Sequence, residues 1–409
     1  MARRRLVRIR VERSIFRPAS LPGLRGTSGT EVGRDLVDFT IEEYRNRLAK
    51  TQAEMAKHEL PVLLLHAPEN ITYLSGFRML GFFMYHALIV PRNGDPVLVV
   101  RDVEQPAADE TCWVEQRSVY VDIEEPINAT ARALRDLGLD HGAVGTEFGT
   151  WFLTLDRMET LKRLMPKAVF RPEPNIVRLQ RVIKSDAEVK YLKKASRVVE
   201  AMVRAGFDAV RPGASERELA AAIMTAQAMS GGEPPLEAIL MSGERTRELH
   251  GTWSDRRLKT GDSVYFELNG VVGGYWSKLM RTAVVGTASA KQRQAAEVIL
   301  ESLEKGIGMM RPGAIAGEID DVLRQPVIKA GLRESYYHRV GYTLGLIHPP
   351  SSGEYIRQFM AGDTWQLEAG QVFHMLVIAS GVGFSETVLV TNDGPELLTN
   401  FERRLIECD

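Results

Sequence analysis

The tetrapeptide Arg-Pro-Gly-Ala occurs twice, at residues 211–214 and 311–314, and each copy joins two helix-like segments. The first copy follows "DAEVKYLKKASRVVEAMVRAGFDAV" and precedes "SERELAAAIMTAQAM"; the second follows "QRQAAEVILESLEKGIGMM" and precedes "IAGEIDDVLRQPVIKAG". Proline and glycine break the chain at the same point of both copies, and Ser215 with Glu218 has capping-box spacing. Strand-like sequence follows each time: "LEAILMSG" and "DSVYFELNG" after the first copy, "QVFHMLVIAS" and "ETVLVT" after the second. A helix pair that recurs with its own strands predicts an internally duplicated α+β domain, with one mixed or antiparallel sheet covered by two helix pairs.

At 409 residues the chain is too long for that domain alone. Upstream, Thr40 and Glu43 stand at cap spacing before a helical pattern. "PVLLLH" (61–66), "HALIVP" (86–91) and "PVLVV" (96–100) read as strands, and "INATARALRDLGL" and "WFLTLDRMETLKRLM" as helices. Residues 40–175 therefore form a smaller α/β domain, 176–186 a linker, and 187–409 the duplicated domain. Residues 1–39 form a basic extension whose first 30 positions hold eight Arg and one Glu without a continuous apolar run, read as a flexible tail rather than a signal peptide.

Net charge is −1, which gives no electrostatic case for nucleic acid or an anionic membrane. No apolar stretch approaches the roughly 20 residues that span a bilayer. The two cysteines, Cys112 and Cys408, make no metal-binding or disulfide pattern and fit a reducing, cytoplasmic setting.

Unusual polar residues concentrate in the strand-like parts of the duplicated domain. "GDSVYFELNGVVGGYWSKLMRT" reads as a hairpin turning at Gly273-Gly274, with Glu267 and Lys278 near one another across it. A carboxylate inside an apolar strand must be paired or functional. Glu267 thus either pairs with Lys278 or Arg281 or serves a site, and Glu386 in "SETVLVT" favours a site. His374 reads as a packed core histidine, whereas His250 lies in a glycine-flanked polar loop. His338 and His348 flank a Gly-rich stretch that either admits a ligand or lines a turn.

In chain order, "SG…H", "GD-x-V-x-F-E-L", "S-x-x-x-RT", "HRVGYTLG" and "ETVLVT" resemble the creatinase/Xaa-Pro aminopeptidase family with its pita-bread fold, and "APENITYLSGF" (67–77) resembles that family's smaller N-terminal domain. The resemblance covers about 40 to 405. It implies five metal-ligand positions, two Asp, one His and two Glu, which here hold Glu267, Lys278, Tyr342, Leu376 and Ser385. Lysine has no acceptor and leucine cannot ligate, so this set does not suit a divalent pair. The sequence is most similar to the metal-free, ectoine hydrolase-like members through "GYTLGL-x-x-PP-x-x-GE", although Ser352 departs from the aromatic common before the Gly-Glu step.

What the resemblance implies is a metal-independent hydrolase of a C–N bond in a small amidine, guanidino or amide compound, with no cofactor. His250 is the implied proton-transfer residue, with Glu386 and Tyr342 beside it. Glu267, Lys278, His338, His348, Glu354 and His374 are the implied substrate contacts. A homodimer and a small-molecule substrate are the implied partners, with neither nucleic acid nor membrane. Two alternatives remain open: an Xaa-Pro peptidase with a rearranged metal site, and a non-catalytic binding protein.

Overall fold

The structure, a computed structural model, describes residues 39–78, 83–233, 238–248 and 250–409. The basic extension up to residue 38 lies outside the described residues. The N-terminal part runs α1 (Ile41–Lys57), β1 (Val62–Leu65), α2 (Pro68–Ser75), β2 (Ala87–Pro91), β3 (Val97–Arg101), α3 (Gln105–Thr111), β4 (Arg117–Tyr120), α4 (Ile127–Asp136), β5 (Gly142–Thr146), α5 (Leu155–Leu164) and β6 (Ala168–Pro172). Its six strands form one mixed sheet, ordered β4-β3-β2-β1-β5-β6. Thr40 caps α1 by accepting from the Glu43 amide. Thr154 caps α5, so this helix begins after "WFL" rather than within it. The expected linker contains a short helix, α6 (Ile176–Gln180), whose Ile176 and Val177 are buried.

The duplicated part runs α7 (Asp186–Ala209), α8 (Glu216–Met229), β7 (Ile239–Ser242), β8 (Ser263–Val272), β9 (Tyr275–Val285), α9 (Ala290–Gly308), α10 (Ala316–Lys329), β10 (Gly341–Thr343), β11 (Gln358–Phe359), β12 (Val372–Ala379), β13 (Val382–Thr391), β14 (Gly394–Leu397) and β15 (Ile406–Cys408). The repeat holds at the level of individual hydrogen bonds. Gly213 and Gly313 both adopt positive φ, 83° and 85°. The Gly213 amide donates to the Leu258 carbonyl and that of Gly313 to the Leu367 carbonyl, at 2.9 and 2.8 Å. The Leu258 and Leu367 amides return bonds to Ala214 and Ala314. Both turns therefore need a residue free to enter the left-handed region, which glycine supplies.

Each helix pair covers its own sheet. Helices α7 and α8 bury Val199, Val203 and Ile223 against Phe266, Leu268 and Leu279. Helices α9 and α10 bury Ile299, Leu303 and Leu323 against Phe373, Met375 and Phe384. Instead of one continuous sheet there are two, ordered β15-β9-β8-β7 and β11-β10-β12-β13-β14. Along β9 and β13 hydroxyls take the place of a backbone ladder. The Ser277 hydroxyl donates to Thr387 at 3.0 Å, the Lys278 amide to the same Thr387 oxygen at 3.0 Å, and the Met280 amide to Ser385 at 2.7 Å. Gly270 lets α7 lie directly on β8, because a Cβ there would meet the Ala195 carbonyl oxygen at 2.1 Å. Among the described residues no helix is long and apolar enough to cross a membrane.

Candidate functional site

Strand alternation decides which side chains reach the site. On β8, Phe266 and Leu268 enter the core beneath α7 and α8, while Tyr265, Glu267 and Asn269 line a cavity of about 590 Å³. On β9, Lys278 and Met280 line the same cavity, and on β12, Leu376 and Ile378 do. Tyr342 of β10 completes this wall.

The hairpin turns at Gly273-Gly274, with Val272 opposite Tyr275. Glu267 lies opposite Met280 and Lys278 opposite Asn269, so the two charges are diagonal neighbours on one face. Their side chains form an ion pair at 3.2 Å. Lys278 also donates to the Tyr342 hydroxyl at 3.0 Å, and Tyr265 donates to the other Glu267 oxygen at 3.1 Å. Burial works against a charge on Lys278, yet Tyr342 and Glu267 hold its pKa above the usual lysine value. It stands as an ammonium with one N–H beyond those given to Glu267 and Tyr342.

Behind the wall, His374 Nδ1 lies 3.0 Å from the Tyr342 hydroxyl, and its Nε2 is buried with no hydrogen-bond partner among the described residues. Burial first, and the Lys278 charge second, hold this imidazole well below its ordinary pKa, so it is neutral. The tautomer that avoids a buried unpaired N–H carries its proton on Nδ1 and donates it to Tyr342. Tyr342 then accepts from both Lys278 and His374, which leaves its own O–H for the cavity. Burial raises the Tyr342 pKa against the pull of Lys278, so the phenol remains a donor.

His250 stands exposed at the cavity, on the loop that follows the 3-10 turn Gly243–Arg247. Among the described residues no carboxylate lies within 4.0 Å of it. His338 is exposed on the same lining; partial desolvation, then Arg333, Arg324 and His250, lower its pKa.

Three expected site residues stand elsewhere. Glu386 is opposite Met375 in the β12–β13 pair and shares that residue's core-facing side. There it accepts from Arg281 at 2.7 Å and from Thr399 at 2.5 Å. Its neighbour Ser385 faces the seam instead, because adjacent strand residues point to opposite faces. Glu354 is held by Arg181 at 3.0 Å and Lys184 at 2.7 Å. His348 lies 3.2 Å from the Thr72 hydroxyl, and burial, then Arg78 and Arg181, push its pKa down to about 3. Glu354 and His348 both line a second cavity, of about 570 Å³.

The first cavity also holds residues that the sequence reading passed over. Tyr265 was legible two positions before Glu267, on the same face. Tyr355 adopts a positive φ of 49°, and its ring centroid lies 4.8 Å from that of Tyr342. Gly353 makes room for this packing, since a Cβ there would meet the Tyr342 ring at 2.6 Å. Arg339 and Arg357 line the cavity as well.

This donor set does not fit a divalent metal pair. At the positions where the resemblance places ligands stand one carboxylate, an ammonium, a phenol, Leu376 and a seam hydroxyl. A divalent cation about 4 Å from Lys278 would meet a repulsion of roughly 8 kcal/mol at an effective dielectric of about 20. Among the described residues no three His, Cys, Asp or Glu side chains come together as a metal-binding group.

The model of the metallopeptidase family M24 matches residues 190–392, and that of the creatinase/prolidase N-terminal domain matches residues 47–183. The chain belongs to the M24 family. It is 28% identical to an ectoine hydrolase from Halomonas elongata over 390 residues, covering 90% of this chain and 98% of that one. It is also 28% identical to an Xaa-Pro dipeptidase from Pyrococcus horikoshii over 356 residues, covering 86% and 96%. Among solved structures, a prolidase from Thermococcus sibiricus matches with a TM-score of 0.80 at 25% identity, covering 89% of this chain and 99% of that one. The dipeptidase PepE from Mycobacterium ulcerans matches with a TM-score of 0.76 at 26% identity, covering 92% and 99%. The M24 domain is therefore the duplicated, pita-bread part, and the protein is a hydrolase acting on C–N bonds.

Proposed function

We propose that this hydrolase cleaves a C–N bond in a small polar compound bearing an amidine, guanidino or amide group, and does so without a metal, as an ectoine hydrolase-like enzyme. The observation that carries this reading is the buried Lys278 ammonium, held between Glu267 and Tyr342 where the family's metals would need acceptors. Glu267 accepts an N–H of the substrate's cationic carbon–nitrogen group through a charge-assisted hydrogen bond. His250 takes a proton from the attacking water and returns it to the leaving nitrogen, a task suited to an imidazole near neutrality. The free N–H of Lys278 and the O–H of Tyr342 donate to the oxygen that becomes bonded to carbon in the tetrahedral intermediate.

Identity to Xaa-Pro dipeptidases supports a peptidase as the second reading, while Lys278 and Leu376 oppose it. Hydrolysis of ectoine, creatine and an Xaa-Pro dipeptide by the purified protein, followed by chromatography, separates the two. Turnover of ectoine or a related amidine is expected, and cleavage of the dipeptide alone would overturn the reading. The proposal includes a cytoplasmic homodimer. Exposed Phe148 and Trp151 on the rim of the second cavity support the dimer, and sedimentation would check it.

A further inference from the structure

Around Glu267 the floor of the cavity is apolar. In register Glu267 lies opposite Ile239 on one side and Met280 on the other, so an aliphatic side chain flanks the carboxylate across each strand pair. Leu376 lies opposite Ser385, whose hydroxyl accepts from the Met280 amide at 2.7 Å, so the floor continues from β9 across the seam to β12. Gly383 makes room at its far end, where a Cβ would meet the Met280 sulfur and the Tyr265 ring at 2.7 Å and the Ile378 side chain at 3.3 Å. Met280, Tyr265 and Ile378 thus form one cluster, with Ile239 and Leu376 packed against it. Met280 and Ile378 are buried, whereas Ile239 and Leu376 are only half-buried and turn apolar surface to the cavity. Leu376 holds a position where the family resemblance places a metal-ligating Glu. The polar groups of the wall are spent on one another and leave this floor uncovered: Glu267 is held by Lys278 and Tyr265, and Lys278 by Tyr342.

We infer that Ile239, Met280, Leu376 and Ile378 form an apolar subsite for an alkyl chain longer than methyl, carried by the carbon whose C–N bond is cleaved. This assignment rests on the reading of the cavity as an amidine or amide hydrolase site, and it narrows the substrate class to compounds with an apolar chain on the reacting carbon. Glu267 binds the nitrogen of the reacting group, and the atoms one bond further lie over its aliphatic neighbours. A chain there removes the exposed Ile239 and Leu376 surface from water together with its own. A polar substituent would lose its hydration and find no partner on this floor, so it is rejected. The cavity, about 590 Å³, has room for such a chain, and a mostly apolar lining with a few polar groups that fix orientation is the usual make-up of a small-molecule site.

The test measures kcat/KM in the full-length protein for ectoine, whose reacting carbon carries a methyl group, and for its ethyl and propyl homologues at that carbon. Wild type is expected to gain roughly four-fold for each methylene, about 15-fold from methyl to propyl. Leu376→Ser is expected to lower the propyl-to-methyl ratio about five-fold, with the loss carried by the propyl compound. Leu376→Ala is expected to fall between, and its unchanged melting temperature guards against a folding defect in the Ser variant. A wild-type preference for methyl, or a ratio that both Leu376→Ser and Ile378→Ser leave unchanged, would overturn the subsite while the hydrolase reading stands. Should wild type turn over none of the three, titration calorimetry of the same series decides. Affinity that rises with chain length and falls in Leu376→Ser keeps the subsite and removes the hydrolase reading. Affinity independent of chain length, or no binding at all, removes the subsite.

Discussion

Glu267 and Glu386 are carboxylates in antiparallel hairpins of the two repeats, the first partly and the second fully buried, and each pairs with a cation from β9. They differ in parity. Glu267 shares the cavity face with Lys278, at 3.2 Å, whereas Glu386 shares the opposite face with Arg281, at 2.7 Å. Tyr265 and Tyr342 surround the first pair with groups that reach the cavity. The second pair is closed by Thr399 and by the carbonyls of Ser385 and Phe401, which accept from Arg281. One step along a strand separates a carboxylate available to a ligand from one that holds the fold together.

Removing each carboxylate tests this comparison most severely. Glu267→Gln is expected to lower kcat/KM by about 1,000-fold in protein that remains folded, and to lower stability as well, because the buried Lys278 loses its counter-ion. Glu386→Gln is expected to cost about 3 kcal/mol of stability in urea titration, because Arg281 remains buried without its counter-ion. Loss of activity from Glu386→Gln with full stability would reverse the assignment. Replacing Arg281 and Glu386 together with apolar residues of similar volume is expected to recover much of that stability.

His250→Ala sharpens the contrast on the cavity side. It is expected to reduce kcat about 100-fold in steady-state kinetics with an unaltered melting temperature. Retained turnover would remove His250 from the mechanism.

The smallest effect concerns pH. Burial, the largest cause in each case, lowers the pKa of His66 to about 3, of His86 to about 4, and of His374 well below 6.5. The unfolded chain therefore takes up these protons first. Stability from the neutral rings is complete above the unfolded pKa of about 6.5 and is lost as pH falls toward the folded values, by at most about 1.4 kcal/mol per pH unit for each ring. Glu147, raised by burial to about 7, acts in the opposite sense between its folded and unfolded values. His348, lowered to about 3, joins these rings, and Glu69, Glu173 and Glu200, raised by burial to a lesser extent, join Glu147. Four strongly shifted rings outweigh these carboxyls, so lower stability is expected in urea titrations at pH 5 than at pH 7.5. No change would show that these histidines are not held neutral.

Much of this organisation was legible in the sequence. The repeated Arg-Pro-Gly-Ala joint marked two positive-φ glycines and two helix pairs, and Ser215 with Glu218 marked a capping box. The double glycine at 273–274 fixed a register from which the Glu267–Lys278 contact followed. Local spacing could not give the register between β12 and β13, so Glu386, expected in the site, stands on the core-facing side and Ser385 on the seam. Nor could it show two sheets, because the seam is made of Ser and Thr hydroxyls that resemble ordinary strand residues. Glu354 was read as a ligand because Arg181 and Lys184, which neutralise it, lie about 170 residues away in the chain.

Metal analysis of the purified protein, followed by ectoine hydrolysis before and after exhaustive chelation, tests the central claim most directly. The expected result is metal well below one equivalent per chain and a rate unchanged by chelation. A rate abolished by chelator and restored by adding back a divalent cation would contradict the role given to Lys278.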